Sequence, residues 1–137
     1  MRSISARLRE AVVERARDRC EYCGLSQEGQ EAKFHIDHVV PAVAGGKTEL
    51  QNLALACVSC SLRKGAREAA TDPATGQEVP LFNPRRDPWN AHFRWRGVEV
   101  VGLTATGRAT VQALRLNRLL ALEIRRAGGL QGRHPLI

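Results

Sequence analysis

The sequence has few aromatic residues and no long apolar run. Aromatic side chains make up 4% of its 137 residues. No stretch approaches the roughly 20 apolar residues that a membrane-spanning helix needs, and the first residues lack the apolar core of a signal peptide. We therefore expect a cytoplasmic protein without a membrane partner, folded as a single domain over residues 1–137. Its core would be modest, so that an added cross-link or metal would help to stabilise it.

Cysteine is also scarce, but its spacing is informative. The four cysteines form two C-x-x-C pairs separated by 33 residues: Cys20, Cys23, Cys57 and Cys60. In a reducing cytosol such pairs indicate a metal rather than disulfides. Four thiolates suit a closed, tetrahedral and therefore structural zinc ion (Zn²⁺). The alternative is four unrelated buried thiols.

The net charge of +7 is unevenly distributed. Residues 1–60 carry eight basic and eight acidic residues, whereas residues 61–137 carry thirteen basic and six acidic residues. Arginine accounts for 18 of the 21 basic residues. A basic surface rich in arginine is typical of nucleic-acid binding, although a GC-rich genome would also favour arginine codons.

Hydrophobic periodicity and turn residues predict an α+β fold. The predicted helices cover residues 5–19, the segment that ends near Gly65, and residues 108–127, with Gly128 and Gly129 stopping the last one. The predicted strands cover residues 33–40, 78–82 and 98–103. The segment 83–90 contains two prolines and is expected to be irregular.

The segment between the cysteine pairs contains a specific order of short motifs. It reads FHIDHVVP (34–41), then Gly45–Gly46, then Asn52–Leu53, then CSLRKG (60–65). Together with the cysteines, this order resembles the HNH endonucleases over about a third of the chain. The resemblance implies a ββα-metal core over residues 20–65 on the four-cysteine zinc site. An N-terminal helix is expected before this core, and a basic strand-helix extension is expected after it, over residues 66–137.

The resemblance also implies roles for individual residues. Asp37 matches the residue that holds the catalytic divalent ion, and His38 matches the general base. Asn52 matches the residue that steadies the loop and the base. Ser61 falls where the family places a second metal ligand, usually histidine or asparagine.

The chemistry of phosphodiester hydrolysis requires the same groups. A neutral imidazole can take a proton from water, and a divalent ion can stabilise the leaving oxygen. A carboxylate with hydroxyl, amide and water oxygens suits Mg²⁺ or Mn²⁺. Arg63 and Lys64 are candidate phosphate contacts. The predicted function is metal-dependent cleavage of DNA, with double-stranded DNA as the expected partner.

Ser61 departs from the family pattern, because a serine hydroxyl is a weaker ligand than imidazole. His35 shares a strand face with Asp37 and is a possible substitute, but we interpret it as a packed or solvent-facing strand residue. Two other functions stay open: a zinc-stabilised nucleic-acid-binding module that has lost catalysis, and a structural zinc protein that binds another protein.

The extension mixes basic and aromatic residues. Arg85 and Arg86 are candidate nucleic-acid contacts, with solvent exposure as an equal alternative. We expect the aromatic residues Trp89, Phe93 and Trp95 to pack in a small core. The arginines of the last helix are expected to form a solvated face: Arg108, Arg115, Arg118, Arg125 and Arg126.

Overall fold

A computed structural model describes residues 4–135. The helices are α1 (Ala6–Arg15), α2 (Val58–Lys64), α3 (Trp89–His92), α4 (Ala105–Ala113) and α5 (Leu119–Leu130). The strands are β1 (His35–His38), β2 (Leu53–Ala56), β3 (Ala69–Thr71), β4 (Glu78–Pro80), β5 (Phe93–Arg96) and β6 (Glu99–Gly102). Successive strands pair as three antiparallel hairpins. This mixture confirms the α+β class. Within residues 4–135, every helix is too short or too polar to cross a bilayer.

The first hairpin and α2 form a ββα unit. β1 pairs with β2 so that His38 lies opposite Leu53, and all four residues of β2 are buried. The chain then enters α2 through Cys57, whose sulfur accepts a hydrogen bond from the Cys60 amide at 3.4 Å. Gly65 caps the end of α2 with a positive φ. The predicted strand over 33–40 is shortened at both ends, but the ββα arrangement is as expected.

Helix α1 packs against the buried face of β2. Ser5 caps its first turn by accepting a hydrogen bond from the Leu8 amide at 3.1 Å, and Val12 is fully buried. The helix ends at Arg15, earlier than the predicted Arg19, because Arg17 and Asp18, which follow the C-cap residue, adopt positive φ angles. Arg15 reaches the loop before β2 and donates to the Leu50 carbonyl at 2.8 Å.

An aromatic cluster joins the C-terminal extension to the cysteine region. The rings of Trp89 and Phe93 lie 5.0 Å apart, and those of Trp89 and Trp95 lie 5.1 Å apart. The Trp89 indole donates to the Tyr22 carbonyl at 3.1 Å. The expected aromatic core is therefore confirmed. The α3 turn and β5 were not predicted, since the prolines before them indicated irregular structure; Pro88 instead occupies the N-cap of α3.

The prediction of one helix over 108–127 is wrong. The chain forms α4 and α5 with a break between them, where Arg115 adopts a positive φ. Leu114 and Leu116 are both fully buried, and a continuous helix would place residues two apart on nearly opposite faces. The Asn117 side chain fills the break by pairing with both backbone groups of Val100 at 2.8 Å.

The predicted helix stop at Gly128 and Gly129 is also wrong. Helix α5 continues to Leu130. Glycine inside a helix costs only about 1 kcal/mol relative to alanine, and Gly128 is buried at a position where a larger side chain would meet residue 133 or 134. The turn that follows depends on Gly132, which has a φ of +73°.

Candidate active site and zinc centre

Strand β1 carries the two side chains at the predicted catalytic positions, Asp37 and His38, together with His35. The strand alternation buries Ile36 in the core and leaves its neighbours His35 and Asp37 half-buried on the opposite face. His38 ends the strand and is also half-buried. The spacing of the motif thus positions its polar residues at the surface of the ββα unit while the apolar residue anchors the strand.

Ser61 of α2 connects two of these side chains. Its hydroxyl donates to Asp37 Oδ1 at 2.9 Å and lies 2.8 Å from His35 Nδ1. Because the single hydroxyl hydrogen points to Asp37, the contact with His35 is made by the serine oxygen as acceptor. His35 therefore belongs to this cluster, which differs from its interpretation as a packed or solvent-facing strand residue.

His38 is held by a loop residue that the sequence did not single out. Its Nε2 lies 2.8 Å from the hydroxyl of Thr48. A hydroxyl can accept from Nε2–H, which leaves the lone pair of the neutral ring on Nδ1. Among residues 4–135, no hydrogen bond engages Nδ1. One ring nitrogen is thus anchored while the other is free.

Asn52 closes the loop that carries Thr48. Its side-chain oxygen accepts from the Val40 amide at 2.9 Å, and its amide group donates to the carbonyls of Val40 and Lys47 at 3.0 Å. Gly46 packs against this closure, since a Cβ there would lie 1.7 Å from the Val40 oxygen. These contacts of Asn52 tie together both ends of the loop between β1 and β2.

The four cysteines converge on one point. All are buried, and their sulfurs lie within 4.8 Å of one another: Cys20, Cys23, Cys57 and Cys60. The Cys23 and Cys57 sulfurs are 3.7 Å apart, close to the edge of about 3.8 Å that a tetrahedron with Zn–S of about 2.3 Å requires. The donor set and its geometry fit a zinc ion. This ion would link the turn that carries Cys20 and Cys23 to the start of α2 and so fix Ser61 relative to β1.

Two arginines of the extension lie beside these sulfurs. Arg118 donates to Cys57 Sγ at 3.5 Å. Burial lowers the pKa of the Arg118 guanidinium, but the negative charge of the cysteines outweighs it and raises the pKa overall. Arg125 is 1% exposed and donates to the Cys23 and Leu116 carbonyls at 2.9 and 2.7 Å. The prediction of one solvated arginine face is therefore wrong for these two residues, which tie the extension to the cysteine cluster.

The structure separates the predicted nucleic-acid contacts. Arg63 and Arg86 are exposed, so both stay available for phosphate. Lys64 is only 3% exposed and donates to the His38 and Val39 carbonyls at 3.4 and 3.1 Å. Arg85 pairs with Glu21 and is 14% exposed. Burial and these partners exclude Lys64 and Arg85 as ready phosphate contacts, which corrects both predictions.

Lys64 instead contacts the backbone at the end of β1. Burial lowers the pKa of its ammonium group, and the nearby Asp37 carboxylate partly offsets this effect. Its hydrogen bonds hold the end of β1, where His38 lies. The sequence offered no signal for this role, because a lysine at the end of a surface helix usually points to solvent. Thr48 was missed for a similar reason, since it lies in a loop without a recognisable motif.

Comparison with known proteins agrees with the ββα core. Residues 20–67 match the family model described as HNH endonuclease. The chain is 23% identical over 111 residues to the Septu protein PtuB of Bacillus thuringiensis. The matched region covers 80% of this chain and 40% of that protein. The chain thus spans about two-fifths of the length of this curated relative. No solved structure matches the chain. The match lies on the segment that carries both the cysteine cluster and the polar site, so residues 20–67 are similar to an HNH endonuclease domain.

Proposed function

We propose that this protein is a metal-dependent endonuclease that hydrolyses phosphodiester bonds of double-stranded DNA. The observation that carries the proposal is the arrangement at the end of β1. One ring nitrogen of His38 is held by Thr48, the other makes no hydrogen bond among residues 4–135, and Asp37 directly precedes His38 in the strand. This arrangement lies inside the segment that matches the HNH endonuclease model. An imidazole nitrogen without a partner can accept a proton from the attacking water, and a carboxylate can hold a divalent ion.

His38 acts as the general base in this proposal. Its Nδ1 accepts a proton from the attacking water, while Thr48 keeps the ring from rotating. Asn52 contributes indirectly, because its three hydrogen bonds hold the ends of the loop that carries Thr48. General base catalysis of this kind contributes about 10²–10⁴-fold to a rate.

Asp37 is the residue that would hold the catalytic ion, with Ser61 beside it. A bound Mg²⁺ or Mn²⁺ supplies positive charge that stabilises the phosphate and the departing oxygen. In its present contacts the Asp37 carboxylate accepts one hydrogen bond from Ser61 at 2.9 Å, so its remaining lone pairs suit a hard cation.

Exposed arginines favour a nucleic acid as the substrate. Arg63 lies on the same helix as Ser61 and is exposed to solvent. Further exposed arginines follow in the extension: Arg67, Arg86, Arg94, Arg96, Arg115 and Arg126. If several of them contact phosphates, affinity for DNA falls steeply with salt.

A plasmid-cleavage assay tests the proposal. Purified zinc-loaded protein is incubated with supercoiled plasmid in Mg²⁺, Mn²⁺ or EDTA, beside His38→Ala and the control His134→Ala, whose histidine contacts Trp95 rather than this site. We expect nicking or linearisation that requires a divalent ion and is lost only in His38→Ala. Cleavage by His38→Ala at the normal rate would refute the role of His38.

A second function is a zinc-stabilised nucleic-acid-binding module without catalysis. Ser61 favours it, since this position lacks the imidazole or amide ligand of the family pattern. Salt-sensitive DNA binding without cleavage in any divalent metal would support this second function over the first.

A further inference from the structure

Resting on the proposed function, we propose that His35 supplies the imidazole ligand of the catalytic ion from strand β1, in place of the side chain that Ser61 does not provide from α2. His35 and Asp37 would then hold the ion together from one strand face, with the serine hydroxyl beside them. The family comparison assigns His35 no role, so this proposal depends on the contacts in this chain.

His35 and Asp37 both contact the hydroxyl of Ser61. Ser61 Oγ lies 2.8 Å from His35 Nδ1 and 2.9 Å from Asp37 Oδ1. The ring nitrogen and the carboxylate oxygen are therefore separated by no more than two hydrogen-bond lengths. Both residues are half-buried and lie on the same face of β1, since they are two positions apart.

Ser61 is smaller than the histidine or asparagine of the family pattern. Its short side chain sits between the imidazole and the carboxylate and contacts both. A histidine or asparagine at this position would extend further from α2 toward β1. The short serine side chain instead leaves room for the His35 imidazole of β1 to approach within 2.8 Å of its hydroxyl, on the strand face that also carries Asp37. The loss of a ligand on α2 and the presence of histidine on β1 therefore compensate each other.

The donor atoms of His35, Asp37 and Ser61 suit a transition metal. A neutral imidazole carries one ring proton, which can reside on Nε2 when Nδ1 binds a cation. One imidazole, one carboxylate and one hydroxyl form a mixed nitrogen and oxygen set. Imidazole favours first-row transition metals, whereas Mg²⁺ prefers oxygen ligands. We expect this site to bind Mn²⁺ more tightly than Mg²⁺.

Electron paramagnetic resonance of bound Mn²⁺ tests the proposal without reference to cleavage. Zinc-loaded full chain is titrated with Mn²⁺, and the echo modulation from a coordinated ¹⁴N nucleus is recorded. We expect the modulation in the unaltered protein and in His38→Ala, and its loss in His35→Ala together with at least about tenfold weaker Mn²⁺ binding. Persistence of the modulation in His35→Ala, or its absence from the unaltered protein, would overturn the proposal.

Two further variants separate a ligand from a structural residue. His35→Gln keeps a side chain that can hydrogen-bond to Ser61 but removes the imidazole, and we expect it to lose the nitrogen modulation with an unchanged melting temperature. The exchange variant His35→Ser with Ser61→His returns the imidazole from α2, and we expect it to recover the modulation. Retained modulation in His35→Gln would overturn the assignment.

The experiment also distinguishes this proposal from the proposed function. Nitrogen modulation that depends on His35, in a protein that cleaves no DNA, would support the metal site and refute the nuclease. DNA cleavage by a protein whose bound Mn²⁺ shows no nitrogen modulation would support the nuclease and refute the role of His35.

Discussion

Replacing Arg125 by methionine should sharply destabilise the protein. Its guanidinium is 1% exposed and donates to the Cys23 and Leu116 carbonyls. A buried carbonyl without a donor costs about 1–3 kcal/mol. Methionine would leave both carbonyls without this donor, but it would also remove the cost of burying the guanidinium charge. The net result would lower the free energy of unfolding by about 3 kcal/mol. For a chain of this size that corresponds to a fall of about 10 °C in melting temperature.

Thermal unfolding of the zinc-loaded chain, followed by circular dichroism, measures this effect. Arg126→Met is the matched control, because Arg126 is the next residue of the same helix and is exposed. The control should stay within about 2 °C of the unaltered protein, as surface substitutions usually do. Equal melting temperatures for the two variants would refute the claim that the buried arginine joins the extension to the cysteine region.

Three further predictions concern the zinc centre, the base and a buried ion pair. Cys57→Ser should abolish stoichiometric zinc binding and lower the melting temperature; unchanged zinc content by elemental analysis would contradict a four-cysteine site. Thr48→Val should lower kcat for DNA cleavage by about tenfold or more at constant KM, since orientation of His38 is lost, while Thr48→Ser should keep the rate; equal rates for both variants would exclude a positioning role. The bidentate Arg108 partner holds the pKa of the Asp72 carboxyl well below its usual range, so the stability it confers is present above pH of about 3.9 and is lost as pH falls toward the folded-state pKa. The difference in melting temperature between the unaltered protein and Asp72→Asn should therefore narrow in acid, and a constant difference would contradict this.

The four-cysteine cluster was predictable because its signal is a short spacing motif, whereas the ββα unit was predicted through the resemblance to the HNH endonucleases. The C-x-x-C pairs fix the ligand spacing, and the alternation of His35, Ile36 and Asp37 fixes which side chains share a face. The start of α1 at Ser5 follows from the same kind of short-range pattern.

Long-range partners determined what the sequence did not reveal. Buried Lys64 donates to the carbonyls of His38 and Val39, and Arg125 donates to a carbonyl more than 100 positions away along the chain. The break between α4 and α5 arises because Leu114 and Leu116 must both be buried. No pattern within a single element encodes such contacts, so hydrophobic period alone gave one continuous helix and one solvated arginine face.

The identity of the site also depends on a contact between elements. Sequence reasoning placed Ser61 at a ligand position and His35 on the same face as Asp37. Only the packing of α2 on β1 brings the serine hydroxyl between the imidazole and the carboxylate. The assignment of His35 to the metal site therefore requires the tertiary structure.

One measurement most directly tests whether His38 activates water in a DNA-cleaving site. A labelled DNA duplex is incubated with the unaltered protein or His38→Ala in Mn²⁺, and binding and cleavage are quantified in the same samples. This role of His38 predicts equal binding by both proteins and cleavage by the unaltered protein alone. Equal cleavage by both, or binding without cleavage by the unaltered protein, would contradict it.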